Sequence, residues 1–195
     1  MRRICIILLI IIPSSSLVAQ RRIIIGPELT LPYNSLSSVA SGGIGITTKY
    51  DRFVSKHFAL TFSVDYVSFG KVYSFNPGSA HVESSSKLQT LSEQFGGKFY
   101  FRKRTEPKGF YLSAEAGIQT SWLKYYDAGK LYNSIDQTNF CYRYGFGISG
   151  RHLDFGLLLQ KFEQRNYEIA WSYGIGVENN PLKYWCLRIS YIFPD

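Results

Sequence analysis

From Phe140 to Ser149 the chain alternates without interruption. Phe140, Tyr142, Tyr144, Phe146 and Ile148 fall on one face, and Cys141, Arg143, Gly145, Gly147 and Ser149 on the other. A period of two is the signature of a β-strand with two chemically different sides. The last run repeats it: Trp185, Leu187, Ile189, Tyr191 and Phe193 oppose Cys186, Arg188, Ser190 and Ile192. Beyond the N-terminal segment no stretch approaches the roughly 20 apolar residues that a membrane helix needs. If such a chain crosses a bilayer, it must do so as a closed barrel, because only closure satisfies every strand hydrogen bond in a medium without water.

Reading outward from these two runs places eight strands, near 22–31, 42–51, 57–69, 89–102, 109–122, 139–149, 152–163 and 183–193. The connections alternate in length. Those near 52–56, 103–108 and 150–151 are short, whereas 32–41, 70–88, 123–138 and 164–182 are long, the pattern of a barrel with short turns on one side and longer loops on the other. The expected fold is therefore all-β, an eight-stranded antiparallel up-and-down transmembrane barrel. Ile169 to Glu178 also alternates; as a further membrane strand it would make the number odd, so it reads as a hairpin extension of the last loop.

The N-terminus decides the compartment. Arg2 and Arg3 precede an apolar run from Ile4 to Ile12, followed by Pro13 and three serines, which is the grammar of a secretory signal peptide. Cleavage is placed after Ala19, with Ser16 as the alternative, leaving 20–195 as one barrel domain of roughly 175 residues. The formal charge is +8, of which Arg2 and Arg3 account for two. For an exported chain a basic balance points to acidic lipid head groups or polysaccharide rather than nucleic acid. Cys141 and Cys186 remain after maturation; a strand lies between theirs, too wide a gap for a disulfide, so both are expected as free, buried thiols.

Taking the aromatic and aliphatic face as outward puts one charged side chain inside on each strand: Glu28, Lys49, Asp65, Lys98, Glu115, Arg143, Asp154 and Arg188. Their signs alternate around the wall, so neighbouring strands set a carboxylate beside a cation, and closure brings Arg188 next to Glu28. An eight-stranded barrel has just room for side chains, and unpaired charges there are costly. A balanced set describes a cross-linked polar core better than an ion path lined by one sign. Inward Gly26, Gly45, Gly96, Gly117, Gly145, Gly147 and Gly156 make room for the long side chains. Outward aromatics near strand ends, among them Tyr50, Phe58, Phe99, Phe101, Phe110, Trp122, Phe140, Trp185 and Phe193, suit a membrane interface.

With its leader, eight alternating strands and an aromatic-ended final strand, the chain resembles the small outer-membrane β-barrel proteins of the OmpA-transmembrane and OmpX type. Ile25-Gly-Pro-Glu-Leu-Thr-Leu31 and Leu187-Arg-Ile-Ser-Tyr-Ile-Phe193 resemble the PorT-like outer-membrane barrel group. The resemblance covers the mature chain and implies localisation in the outer membrane of a Gram-negative cell, among outer-membrane lipids and lipopolysaccharide. It also implies that Tyr191 and Phe193 serve as the signal read by the barrel-assembly machinery, although Pro194 and Asp195 follow them.

Chemistry is weakly represented. His57 and His152 sit at short turns without partners at informative spacing. His81, Glu83 and Ser84 supply base, acid and nucleophile types in one loop, but proximity in sequence is not triad geometry, and no Gly-x-Ser-x-Gly elbow occurs. No His or Cys spacing suggests a metal site, and no cofactor is expected. The leading expectation is a non-enzymatic barrel with a structural or surface-interaction role and a filled polar lumen. Contact groups for a surface ligand would come from the loops Lys71 to Lys87, Leu123 to Thr138 and Gln164 to Lys183, through Tyr125, Tyr126, Lys130, Tyr132, Tyr167, Trp171 and Tyr173. A narrow channel for small solutes or ions and a lipid-modifying enzyme are the alternatives.

Overall fold

Alternation becomes register in the computed structural model, which describes residues 20–33, 36–37, 40–75, 83–101, 108–127, 130–162 and 182–193. The strands are β1 (Arg21–Tyr33), β2 (Gly43–Phe53), β3 (Phe58–Phe69), β4 (Val72–Phe75), β5 (Glu83–Tyr100), β6 (Gly109–Asp127), β7 (Lys130–Ser149), β8 (Leu153–Phe162) and β9 (Leu182–Phe193). All pairings are antiparallel, between sequence neighbours except for β1 with β9 and β3 with β5, and these two close the sheet into a barrel. No helix among the described residues is long and apolar enough to cross a membrane.

Nine strands make an eight-walled barrel because β4 continues β3. Ser68 faces Gln89 on β5, and Val72 faces Ser86 on the same strand, so residues 69–71 stand opposite only 87 and 88. One extra residue in one strand is a β-bulge, which bends the strand and re-aims its side chains. The eight-stranded expectation holds on this reading.

Two expected loops are strand instead. β6 runs to Asp127 and β7 begins at Lys130, with pairing maintained from Gly109↔Ser149 up to Asp127↔Lys130 apart from one register shift between Tyr125 and Tyr126. Likewise β5 begins at Glu83, six residues before its predicted start. The turn-forming and polar residues of these segments read as loop, but the edges of β5 to β7 propagate the ladder past the membrane-sized portion. Among the described residues β7 pairs with β8 only from Cys141 to Ser149. Residues 130–140 stay paired with β6 along their whole length, and Gln119 and Leu123 on that strand still face the interior, against Gln160 and the buried apolar cluster. Of the expected loop residues, Tyr125 packs against the buried apolar cluster and Lys130 is exposed. Tyr167, Trp171, Tyr173, His81 and the segment 169–178 lie outside the described residues.

The short turns are locally encoded. Between β2 and β3 the Ser55 hydroxyl accepts from the backbone N–H of His57 (3.3 Å) and Phe58 (3.1 Å), and the Val54 N–H donates to the Phe58 carbonyl at 3.0 Å. Gly109, at the start of β6, has φ 116°, a conformation that a side chain makes costly.

Outward-facing residues form a continuous apolar surface. Ile23, Leu29, Ile46, Phe62, Phe95, Leu112, Phe146, Phe155, Leu187 and Ile189 are all exposed large hydrophobics. Such a belt is unfavourable in water and matches a bilayer exterior. Its short-turn rim is aromatic: Phe99, Phe101, Phe110 and Phe146 follow one another at ring separations of 5.3–5.9 Å, while Tyr191 and Phe193 meet edge to face at 4.9 Å. His57 and His152 stack on Phe99 and Tyr191 at this same rim.

Glycine sets the wall spacing where the interior is widest in side chain. A Cβ at Gly147 would come within 2.2 Å of the Phe155 carbonyl oxygen and 2.4 Å of the Tyr111 hydroxyl, whereas one at Gly42 would meet nothing closer than 3.5 Å. Gly147→Val is expected to lower the urea midpoint of the folded barrel by an amount equivalent to about 1–3 kcal/mol or more. Gly42→Ala should leave it unchanged; equal midpoints for both variants would contradict this packing.

Candidate functional site: the lumen charge network

Inward-facing residues build the interior in layers. At the short-turn end Phe53, Ala59, Tyr100 and Tyr111 form one apolar cluster, with Phe53–Tyr100 and Tyr100–Tyr111 ring separations of 5.4 Å. Arg22 lies over the Phe53 ring at 5.5 Å and donates to the Ser149 hydroxyl at 3.2 Å. At the opposite end Val67, Phe69, Leu88, Leu123, Leu158, Phe162, Leu182 and Tyr184 form a second apolar cluster around the two cysteines. Leu36, from the connection after β1, is fully buried within it. Cys141 and Cys186 are buried free thiols.

The charges lie between these clusters. All eight residues predicted to point inward are buried, at 3% exposure or less. Four converge on one carboxylate pair. Glu115 on β6 accepts from Lys49 Nζ on β2 at 2.6 Å, from Arg143 Nη2 on β7 at 2.5 Å and from the Ser63 hydroxyl on β3 at 2.8 Å. Arg143 also donates through Nη1 to Asp65 on β3 at 2.8 Å and through Nη2 to Ser63 at 2.9 Å. The Thr47 hydroxyl donates to the other oxygen of Asp65.

A second cluster centres on Lys98 of β5. It donates to Asp51 of β2 at 2.7 Å, stands 3.9 Å from Asp154 of β8 and lies over the Tyr111 ring at 4.8 Å. Thr61 donates to the other oxygen of Asp51 at 2.9 Å, and Tyr111 donates to Asp154 at 2.9 Å. Above the charges a glutamine layer continues the bracing: Gln94 donates to Gln160 at 2.9 Å and Gln160 to Gln119 at 3.1 Å.

The direction of these contacts differs from the expectation. Among the ion pairs of the described residues, only Arg143–Glu115 joins adjacent walls, as register partners of β6 and β7. Lys49–Glu115, Arg143–Asp65 and Lys98–Asp154 each reach past two intervening walls. In so narrow a barrel a Lys or Arg stem spans the lumen, so the favourable pairing runs across it rather than around it. Glu28 and Arg188 are register partners across the closing β1–β9 seam. Glu28 Oε2 and the Arg188 nitrogens nevertheless have no protein hydrogen-bond partner among the described residues. Arg188 instead extends over β8, where a Cβ on Gly156 would lie 3.2 Å from its Nη2.

Two charged residues escaped the sequence reading. Asp51 and Arg22 are both buried, and Asp51 is the shortest ion-pair partner of Lys98. The signal lies in parity, since Asp51 follows Lys49 by two and Arg22 precedes Ile24 and Gly26 by even steps, but a rule of one charge per strand passes over both. With them the described interior holds five cations and five carboxylates. Among the described residues no group of His, Cys, Asp and Glu could hold a metal ion. The chemistry available is mutual neutralisation, and a water-filled path through the charge layer would have to pass between its crossing ion pairs.

A closed eight-stranded barrel with an apolar exterior and a cross-braced polar interior is the fold of the small outer-membrane barrels. No family model matches the chain, and no curated protein matches it. Among solved structures it is similar to Ail, the attachment invasion locus protein of Yersinia pestis. In complex with the heparin analogue sucrose octasulfate, Ail superposes with a TM-score of 0.59 at 12% identity, covering 90% of this chain and 99% of Ail. A second Ail crystal structure gives 0.55 at 13% identity with the same coverage. The Ail backbone structure in a phospholipid bilayer nanodisc gives 0.50 at 13%. These likenesses carry the fold; the PorT-like part of the resemblance has no matching family model behind it.

Removing Glu115 strands Lys49 in the lumen and leaves Arg143 with one carboxylate. Glu115→Leu is expected to destabilise the folded barrel by about 3–5 kcal/mol, and Lys49→Met combined with Glu115→Leu to recover a large part of that loss. Additive losses in urea titrations of the single and double variants would show that the pair is not coupled.

Proposed function

We propose that the chain is an exported outer-membrane barrel without enzymatic activity, with a structural or surface-interaction role and a lumen filled by its own side chains. Residues 1–19 act as the leader, and Tyr191 and Phe193 at the end of β9 are what the assembly machinery reads. The observation that carries the closed-lumen reading is the Glu115 centre, where side chains from four walls meet within hydrogen-bond distance. The apolar cluster that buries Leu36 caps it on the long-connection side.

The working surface is then the sheet of β4 to β7 beyond the membrane-sized part of the barrel, together with the connections around it. Exposed Lys130 and the outward-facing Lys124 give this region basic contact groups. The similarity to a barrel crystallised with a polysulfated sugar agrees with a basic, ligand-contacting outer end.

In a planar bilayer the folded protein is expected to be silent, and lipid A mass profiles of cells with and without it to be identical. Steady single-channel conductance would replace this reading with the channel alternative. A protein-dependent change in lipid A mass would replace it with the enzyme alternative.

A further inference from the structure

Glu93 stands on the outer face of β5, exposed among apolar residues. Val64 and Ile118 are its register partners on β3 and β6, and Leu91 and Phe95 flank it along its own strand. None of the diagonal positions on β3 and β6 carries a cation, and Glu93 enters none of the ion pairs of the described residues. An ionisable side chain within an apolar membrane wall is costly and marks a functional surface, with a cation as its natural partner.

The strands beside it complete a pattern. On β6, Ala114 and Ala116 face outward and leave a hollow between the large exposed side chains of Leu112 and Ile118. On β7, Tyr142 and Tyr144 stand out as a stacked pair with ring centroids 6.5 Å apart. Lys161 on β8 leans back over these two rings, at 5.6 and 5.1 Å. Across four walls the order is carboxylate, hollow, rings, cation. The heights agree as well. An outward register row runs from Ile23 on β1 through Phe95, Ala116, Tyr142 and Lys161 and returns to β1 at Tyr33, ten residues higher. Three of the eight steps around the wall lead from Phe95 to Lys161, so Lys161 stands about four residues above Phe95 and about two above Glu93, roughly 5 Å along the barrel axis. The stems of lysine and glutamate bridge that offset.

We propose that this wall is the interface of a dimer in the membrane plane, two copies of the chain related by a two-fold axis along the bilayer normal between β6 and β7. Such an axis sets the same patch of each copy against itself, reversing the order of strands across the contact while keeping every height. Glu93 of each copy then meets Lys161 of the other, and Tyr142 and Tyr144 enter the hollow over Ala114 and Ala116. Each contact forms twice from one surface. A lipid chain would cover the hollow and leave the carboxylate in hydrocarbon, whereas a second copy supplies the cation at a matching height. The inference rests on the membrane placement proposed above.

The test measures Förster transfer between donor-labelled and acceptor-labelled copies of the full, folded barrel at high dilution in phosphatidylcholine vesicles. Wild type is expected to show transfer. Glu93→Lys or Lys161→Glu alone sets like charges opposite each other and should weaken dimerisation about tenfold or more. A mixture of these two variants restores both ion pairs and should recover transfer close to wild type. Ala116→Phe fills the hollow without touching the interior and should give monomers, while Lys130→Glu, the same charge change away from this face, should leave the dimer intact. Heat-modifiable gel migration confirms that each variant is folded, and if a charge reversal fails to fold, Ala116→Phe decides. A monomeric wild type, a dimer indifferent to Glu93→Lys or to Ala116→Phe, or no recovery in the mixture would overturn the proposal. Failure of the wild type to insert into bilayers at all would overturn the membrane reading itself.

Discussion

Glu115 is the group on which the interior depends. A carboxylate buried near the middle of an eight-walled barrel is tolerable only when cations and hydroxyls surround it. Lys49, Arg143 and Ser63 arrive from three other walls to do so. Because the stems of Lys and Arg are long and the lumen is narrow, satisfying this one carboxylate ties β2, β3, β6 and β7 together across the interior. The second centre, Lys98 with Asp51, Asp154 and Tyr111, ties β5 to β2, β6 and β8 in the same way. The barrel is closed twice: by backbone ladders around the wall and by ion pairs across it.

That double closure gives inside and outside different chemistry. The interior ties the walls together and its described charges balance, five cations against five carboxylates, although Glu28 Oε2 and the Arg188 nitrogens have no hydrogen-bond partner among the described residues. The outside carries the contacts with the surroundings: an apolar belt, an aromatic rim at the short-turn end, and lysines at the other end. The same period of two that hides Glu115 exposes Phe146 and Ile189. One residue of slip would reverse both, which is why register is so strongly specified in such a wall.

Most of this was legible in the sequence because it follows from parity. The inward set Glu28 to Arg188, the outward aromatics and the eight walls all came from counting by twos. What parity does not contain is height and reach. Lys49 and Glu115 are 66 positions apart on walls that do not touch, and their meeting depends on strand tilt and stem length, which no alternation records. Asp51 was missed for a related reason: a second charge on one strand looks redundant until the lumen is seen to hold two stacked centres. The segments 83–88 and 123–138 misled because serines, lysines and asparagine are turn-like in isolation, while a ladder already begun by Phe99 or Phe140 can carry them onward.

The most direct test of the account is the distance between Lys49 Nζ and the Glu115 side-chain carboxyl in the folded protein in lipid bilayers, measured by magic-angle-spinning NMR through nitrogen–carbon dipolar coupling on labelled samples. The account predicts a strong coupling at salt-bridge distance, abolished by Lys49→Met. A Lys49 ammonium with no coupling to any carboxyl, exchanging freely with bulk water, would contradict it.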